Sequence, residues 1–460
     1  MKRKILTAFL AISLSLSLIA CGSSTDTVSQ AVKPAEETKE EVAEVVEEAE
    51  KTEEAEQTAD NNGNSLTVWC WDPAFNIYSM DEAAKIYKET NPDFELNVVE
   101  NSWDDIQTKL ATAAVSGDLS TLPDIVLMND NAIQKYVTTY PDLFENIDNS
   151  GIDFASFGDS KCAYSVVNDN HYAVPFDNGA VIACYRTDIL AEAGYTVDDF
   201  TDITWSEFIK KGKVVLEKTG KPMFSTQAGA SDIILMMLQS AGASMFDENG
   251  NPDMVNNSVL REVMEDYEEL VSSGILLEMS SWDQYIGSFT NSNVCAVING
   301  CWIMASIQTA EDQSGKWAIT NMPRLDNAAN ASNYSNNGGS SWTILSSSAN
   351  KDLAYDFFSK TFAGSVEFYE TILPQSGALA TYLPAKDSDV YSQPHEFFGG
   401  EPVFSKITEF AGKIPSNNSG VYYYEARDAI ATAVTNVIAG SNIDSELTTA
   451  EETVRFCMGQ

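Results

Sequence analysis

Three short stretches decide the fold: residues 66–71 read LTVWCW, residues 94–100 read FELNVVE and residues 123–128 read PDIVLM. All three favour strands, and the third is apolar enough for a strand that is covered on both faces. Between them, the patterns of residues 81–89 and 103–115 predict helices. Strands and helices that alternate in this order predict a parallel sheet covered by helices.

The same alternation continues along the rest of the chain. Further strands are predicted at residues 294–298 and 342–345, and further helices at residues 255–273, 352–362 and 422–438. With 460 residues, the chain is long enough for one large two-lobed body. The sequence therefore indicates the α/β class.

The N-terminus has the parts of a bacterial lipoprotein leader in their usual order. Lys2-Arg3-Lys4 is basic, an apolar run follows, and residues 18–21 read LIAC. The run is short for a membrane span and typical of a signal peptide, which we predict at residues 1–20. The last four residues resemble a lipobox, which implies a diacylglyceryl group, and hence palmitate-type chains, on Cys21.

Residues 21–64 are predicted to form an acidic, disordered tether. They are rich in Glu, Ala, Thr and Lys and contain no aromatic residue, so they cannot bury enough apolar surface to fold alone. With the lipid on Cys21, this segment would hold a folded body at the extracellular face of the cell membrane. The lipid anchor would be the body's only attachment to the membrane.

The charge and the side-chain inventory exclude several classes of function. The chain has 68 acidic and 27 basic residues, a net charge of −41, which disfavours nucleic acid as a partner. Its two histidines stand apart and no ligand-type Cys/His spacing is present, so we expect no metal and no cofactor. Six cysteines remain besides Cys21, and the sequence does not decide whether or how they pair.

Several segments together resemble the extracellular solute-binding proteins of sugar importers, the family 1, maltose-binding-protein-like type. Residues 172–177 (YAVPFD) and 183–188 (ACYRTD) resemble the family's passage from its first lobe to its second. Residues 296–302 (AVINGCW) resemble its strand-to-helix turn, and residues 338–342 (GGSSW) its passage back. The likeness extends over about residues 66–454. The sequence departs from the family pattern at Gly179, a position that is often acidic.

The resemblance implies a two-lobed periplasmic-binding-protein-like fold of type II, with a sheet and flanking helices in each lobe and hinge crossings between them. Lobe one is predicted at residues 65–177 and 345–386, and lobe two at residues 178–344 and 387–460. Ligands of open α/β sheets lie beyond the carboxyl ends of the strands. Two such lobes would therefore enclose a ligand in the cleft between them.

Candidate ligand-binding residues follow strand ends and family positions. A sugar needs aromatic platforms for its C–H faces and polar side chains for its hydroxyl groups. The candidates are Trp71, Asp72, Asn129, Asp130, Asp177, Gln227, Asn299, Trp302, Trp342, Tyr422 and Tyr423, with Tyr424 beside them. For each aromatic residue the competing interpretation is packing in the core, and for Asn129 and Asp130 it is helix capping.

The sequence favours a non-enzymatic receptor that captures a mono- or oligosaccharide and delivers it, as a monomer, to the permease subunits of an ABC importer. The same fold with a peptide, a polyamine or another polar solute is the main alternative. A surface glycosidase and an acidic adhesin are weaker ones. No catalytic residues are assigned, because no nucleophile or phosphate-loop motif is present.

Overall fold

The computed structural model describes residues 63–416 and 420–460, apart from the side chain of Ser160. The predicted signal peptide and the predicted tether, including Cys21, lie outside these ranges, except for residues 63 and 64 at the end of the tether. The strands, β1 to β12, are Ser65–Cys70, Glu95–Glu100, Ile125–Asn129, Val166–Val167, Asn170–His171, Ala173–Pro175, Val181–Arg186, Phe224–Gln227, Leu276–Met279, Ala296–Gly300, Trp317–Thr320 and Ser340–Ile344.

Helices cover these strands on both sides. The α-helices, α1 to α15, are Tyr78–Lys88, Trp103–Ser116, Asp130–Thr139, Asp159–Cys162, Thr187–Ala193, Trp205–Thr219, Asp232–Ser240, Ser258–Ser272, Trp282–Thr290, Ile303–Gln308, Lys351–Lys360, Val366–Ser376, Val403–Ala411, Tyr423–Ile438 and Ile443–Cys457. No helix within the described ranges is both long and apolar enough to cross a membrane.

The first sheet has the strand order β2-β1-β3-β12-β6. Strands β2, β1 and β3 are parallel, as the βαβαβ pattern predicted, and β12 runs antiparallel to both β3 and β6. Successive side chains of β1 point to opposite faces. Leu66 and Val68 join one apolar cluster, and Trp69 joins the other, together with Val126 of β3. Both faces are thus buried, and this sheet forms lobe one.

Lobe two is built on a second sheet, of order β10-β7-β11, with antiparallel pairing throughout. A short parallel pair, β8 and β9, lies beside it. Helix α6 begins at a capping box: the Thr204 hydroxyl accepts from the Glu207 N–H and the Glu207 carboxylate accepts from the Thr204 N–H. Helices α14 and α15 pack on this lobe's core.

Strand β12 corrects one predicted lobe boundary. Residues 340–344 were assigned to lobe two, but they form a strand of the first sheet between β3 and β6. The chain therefore returns to lobe one about five residues earlier than the resemblance implied. The prediction failed because an all-buried strand with the sequence SSWTI looks the same in either lobe.

The six cysteines within the described ranges are all free thiols in the structure. Cys70, Cys162, Cys184, Cys295 and Cys301 are buried, and Cys457 is exposed. The buried cysteines thus act as small apolar side chains. Burial raises the pKa of each of these five thiols, so they stay protonated near neutral pH.

We predict that Asp266 destabilises the protein at neutral and higher pH. One oxygen of its carboxyl group is buried without a hydrogen-bond partner. Burial, with the charges of Glu262, Asp326, Glu269 and Glu265, raises its pKa to about 7. In the unfolded chain it ionises near pH 4, so the folded state holds the extra proton between about pH 4 and 7. Stability should therefore fall as the pH rises through this range, and the loss should persist above it.

The test is Asp266→Asn, measured by thermal unfolding at pH 8 and pH 4. Allowing for its partial exposure, we expect a gain of about 1 kcal/mol, or about 2 °C, at pH 8, and little gain at pH 4. Glu268→Gln, on the exposed side of the same helix, removes the same charge and is the control. Equal gains from both variants at pH 8 would contradict the proposed role of burial.

Candidate functional site: the cleft between the lobes

Two of the chain crossings between the lobes form the floor of a cleft. The first crossing (residues 176–180) links β6 to β7, and the second crossing (residues 336–339) leads into β12. They pair with each other at Ala180 and Asn336. Because both crossings run between the two sheets, side chains near them can contact either lobe.

The crossings approach so closely that glycine is required between them. A Cβ on Gly179 would lie 2.0 Å from the carbonyl oxygen of Asn337, and one on Gly300 would lie 2.5 Å from the same atom. Gly339 has a φ of +108°, which strongly favours glycine. The glycine at position 179, which departs from the family pattern, is thus explained by contact between the two backbones.

A cavity of about 670 Å³ opens above the crossings and is walled by both lobes. Its volume falls within the range of about 300–1,000 Å³ that is typical of small-molecule sites. Its polar wall consists mainly of amide and tyrosine side chains. These are Asn131, Gln134, Tyr164, Asn178, Gln239, Asn336, Asn337 and Tyr423.

A chain of hydrogen bonds links the second crossing to lobe two. The indole N–H of Trp302 donates to the carbonyl oxygen of Asn337 at 2.9 Å. The amide of Asn337 donates to Asn299 Oδ1 at 2.8 Å, and the amide of Asn299 donates to the hydroxyl of Tyr285 at 3.0 Å. The strand-to-helix turn that ends β10 is therefore bonded directly to the crossing.

Aromatic rings extend from this turn into the cleft. Trp302 packs against Trp282, with ring centroids 6.0 Å apart and planes inclined by 34°. Trp282 also packs against Tyr285 and is 38% exposed, which leaves much of its indole ring available to a ligand. A smaller cavity of about 20 Å³ beside it is lined by Gln227 and Asn299.

Lobe one contributes aromatic rings on the opposite side. Trp71 and Trp103 meet edge to face, with centroids 5.7 Å apart, and Trp103 lies 5.9 Å from the ring of Tyr424, which belongs to lobe two. The indole N–H of Trp103 is buried without a partner, as is the side-chain oxygen of Asn131. Buried polar atoms without partners are costly, so a polar ligand or water would be favoured here.

The two lobes touch at the start of α14. Lys135 of lobe one forms an ion pair with Glu425 and lies over the ring of Tyr422, 5.4 Å from its centroid. Arg427 lies over the ring of Tyr424 at 5.5 Å. Burial raises the pKa of both Tyr423 and Tyr424, so their hydroxyl groups stay protonated and can donate hydrogen bonds.

Comparison with known proteins identifies the family. Residues 82–398 match the sequence model of the bacterial extracellular solute-binding proteins. A lactose-binding protein of Rhizobium radiobacter is 36% identical over 387 residues, which are 84% of this chain and 91% of that protein. The chain belongs to the bacterial extracellular solute-binding protein family. Since this family consists of binding proteins, the prediction that the chain is not an enzyme is confirmed.

Solved structures confirm the type II fold of this solute-binding protein. The GacH receptor of Streptomyces glaucescens, which was solved unliganded and with acarbose, has a TM-score of 0.73 at 16% identity over 86% of this chain and 98% of its own. A maltose-bound MalE3 of T. maritima has a TM-score of 0.71 at 16% identity, over 85% and 99%. An arabinooligosaccharide-binding protein of Halalkalibacterium halodurans is 23% identical over 83% and 86%.

The binding protein brings many of the predicted residues to the cleft. Asp130 and Tyr423 line the large cavity, and Gln227 and Asn299 line the small one. Four further candidates line neither cavity but contact cleft residues through their rings or through hydrogen bonds. These are Trp71, Asp177, Trp302 and Tyr422.

Two further candidates at strand ends differ in what their side chains do. One carboxylate oxygen of Asp72 caps the turn at Pro73–Ile77, where it accepts from the N–H groups of Ala74 and Phe75. Asn129 occupies the cap position of α3 but makes no capping hydrogen bond with its side chain. Asn129 is half-buried, so its amide group is only partly covered.

The prediction that Trp342 binds the ligand is wrong. Its side chain is fully buried in the core of lobe one, between Phe176 and Phe362, whose ring centroids lie 5.5 and 5.6 Å from it. A ligand in the cleft cannot reach it in this conformation. The competing interpretation, core packing, is the correct one for this residue.

Other cleft residues were missed. Trp103 follows β2 and Trp282 follows β9, so the rule that ligands lie beyond strand ends would have found both. Asn131 is one residue beyond a predicted candidate. Asn337 lies in the Asn/Ser/Gly loop, whose composition gives no indication of which amide faces the cleft. Nothing in the sequence marks Lys161, whose contacts are described below.

We predict that Gly179→Ala disrupts the crossings. Because the added Cβ would lie 2.0 Å from Asn337 O, the two backbones must separate, at a cost of about 2 kcal/mol or more in unfolding free energy. Gly158→Ala is the control, since its φ is −72° and nothing lies within 4 Å of its Cβ. Denaturant unfolding of both variants tests this, and a Gly179→Ala variant as stable as Gly158→Ala would refute it.

Proposed function

We propose that this protein captures a neutral di- or oligosaccharide in the cleft between its lobes and delivers it to the permease subunits of an ABC importer. The observation that carries the proposal is a cavity with a mainly amide and tyrosine wall. The Trp282–Trp302 pair adjoins this wall, because Trp302 donates to the carbonyl oxygen of Asn337. Amides bond hydroxyl groups as donors and acceptors, and indole rings cover the C–H faces of a sugar.

The charges of the cavity wall favour a neutral solute. Among the wall residues that the structure describes, Asp130 is the acidic one and Lys161 the basic one, and they form an ion pair with each other. A polyamine site needs several free carboxylates, and a peptide site needs partners for termini and backbone. Both alternatives are therefore disfavoured relative to a polyol, although the chain as a whole is strongly acidic.

Lactose is the first sugar to test. The relative that is 36% identical over 84% of this chain is a lactose-binding protein, whereas the arabinooligosaccharide-binding relatives are only 22–23% identical. A disaccharide would also fit a cavity of about 670 Å³. We thus place a β-galactoside disaccharide ahead of longer arabinose oligomers.

Calorimetric titration and thermal shift against a panel of solutes test the proposal. Lactose is expected to raise the melting temperature, since a ligand at 100 times its Kd adds about 2.7 kcal/mol of stability. The panel should also contain galactobiose, maltose, arabino-oligosaccharides, a peptide mixture and spermidine. Binding of spermidine or peptide, with no response to any sugar, would refute the carbohydrate assignment.

We predict that Trp282→Ala weakens sugar binding. Losing an indole platform should raise Kd by about tenfold, with a small effect on stability because the ring is already 38% exposed. Phe456→Ala, at the far end of α15 and 82% exposed, removes an aromatic ring outside the cleft and should leave Kd unchanged. Both variants are titrated with the sugar that the panel identifies. If Trp282→Ala has the same Kd as Phe456→Ala, Trp282 is not part of the site.

We also propose that the protein acts as a monomer that is held at the outer face of the membrane by a lipid on Cys21. The basic start, the apolar run and the LIAC sequence support this, as does the acidic segment of residues 21–64. Two acyl chains give lasting attachment, whereas one gives marginal binding. A tether of like charges would keep the binding lobes away from an anionic surface.

Cys21→Ser should release the protein from cells. The variant cannot carry the acyl chains, which are the proposed attachment to the membrane. Cell fractionation with an antibody is expected to find the variant in the medium or in the soluble fraction. Cys457→Ser, which alters an exposed cysteine at the other end of the chain, should remain with the membrane. Retention of Cys21→Ser in the membrane would contradict the lipid anchor.

A further inference from the structure

The floor of the cleft contains a buried lysine with all of its hydrogen-bond donors in use. Lys161, in α4, is 6% exposed. Its ammonium group donates to Asp130 Oδ2, to the carbonyl oxygen of Asp177 at 2.7 Å and to that of Ser340 at 2.9 Å. An ammonium group has three N–H donors, so none remains for a ligand.

The three acceptors belong to three different parts of the cleft. Asp130 is the first residue of α3 and lines the cavity. Asp177 lies in the first crossing, and Ser340 directly follows the second. One side chain therefore ties both crossings to the cavity wall, which no other side-chain contact described above does.

Further hydrogen bonds join the partners of Lys161 to the two crossings, so a shift of either crossing would disturb them. The Asp177 carboxylate accepts from the Ser340 N–H at 2.8 Å, and the Ser341 hydroxyl donates to Asp130 Oδ1 at 2.7 Å. The N–H of Asp130 donates to Gly339 O at 3.0 Å. Each oxygen of Asp130 thus accepts a hydrogen bond, so these partners hold the carboxylate in place.

We infer that Lys161 is a positioning residue that couples the two crossings to the ligand cavity and so sets the affinity for the solute. The inference rests on the proposed function of the cleft. Lobe closure changes the relation between the crossings. The bonds from Lys161 to both carbonyl groups fix the crossings where they leave lobe one. A ligand that needs both lobes depends on that placement of the crossings.

A simpler role would be that of a charge partner for Asp130. Removing Lys161 alone cannot separate the two roles, because it leaves a buried carboxylate without its cation. The test therefore compares Asp130→Asn with the double variant Asp130→Asn/Lys161→Met. Both lack the Asp130 charge, and they differ in whether the ammonium group bonds the crossings.

Two measurements are made on this pair: Kd for the sugar that the panel identifies, and amide hydrogen exchange across residues 336–341. If Lys161 couples the crossings, Kd in the double variant rises at least about tenfold relative to Asp130→Asn. Exchange at residues 336–341 becomes about fivefold faster or more, while exchange in α8 stays the same. A double variant that matches Asp130→Asn in either measurement overturns the inference.

The exchange measurement also separates this inference from the proposed function. If the wild type binds no sugar, the carbohydrate proposal fails, but exchange at the crossings still reports whether Lys161 holds them. If that double variant does not fold, Asp130→Asn/Lys161→Gln is compared with Asp130→Asn instead. Gln keeps two N–H donors, so intermediate changes in both measurements support the role and unchanged values overturn it.

Discussion

The carbonyl oxygen of Asn337 is the point on which the arrangement of the lobes depends. It accepts a hydrogen bond from the Trp302 indole. It also lies so close to Gly179 and Gly300 that neither position has room for a Cβ. Because three segments of the chain meet at this one atom, the two crossings cannot separate without breaking the turn that follows β10. The same residue places its own amide in the cavity wall, where it donates to Asn299 Oδ1.

The sequence predicted the fold well because the decisive pattern is local. Alternating apolar strands and amphipathic helices specify parallel pairing of β1 with β2 and β3, and the Thr204–Glu207 capping box fixes the start of α6. The strand-end rule also led to Asp130, which lines the cavity. These features depend on neighbours within a few residues or on a general rule of sheet geometry.

What the sequence could not predict depends on contacts between distant residues. Lys161 bonds a carbonyl group 179 residues away, and no pattern in its neighbourhood indicates this. Trp342 was misassigned because every residue of its strand is buried, so alternation does not reveal which face meets the core. Its aromatic character fits a sugar platform and a core residue equally well. Only the packing against Phe176 and Phe362 distinguishes the two.

The contrast between a strongly acidic chain and a nearly neutral cavity wall indicates what the cleft selects. Charges on the outer surface are solvated and cost little, whereas an unpaired charge in the cleft would be desolvated when the lobes meet. The wall instead carries amides. Its one described ion pair, Lys161 with Asp130, is also bonded to the backbone beside the crossings. The indole N–H of Trp103 and the side-chain oxygen of Asn131 are buried without hydrogen-bond partners. A hydroxyl group complements either kind of atom, since it can both accept and donate a hydrogen bond. A neutral, hydroxyl-rich solute therefore suits a wall of amides without adding a buried charge.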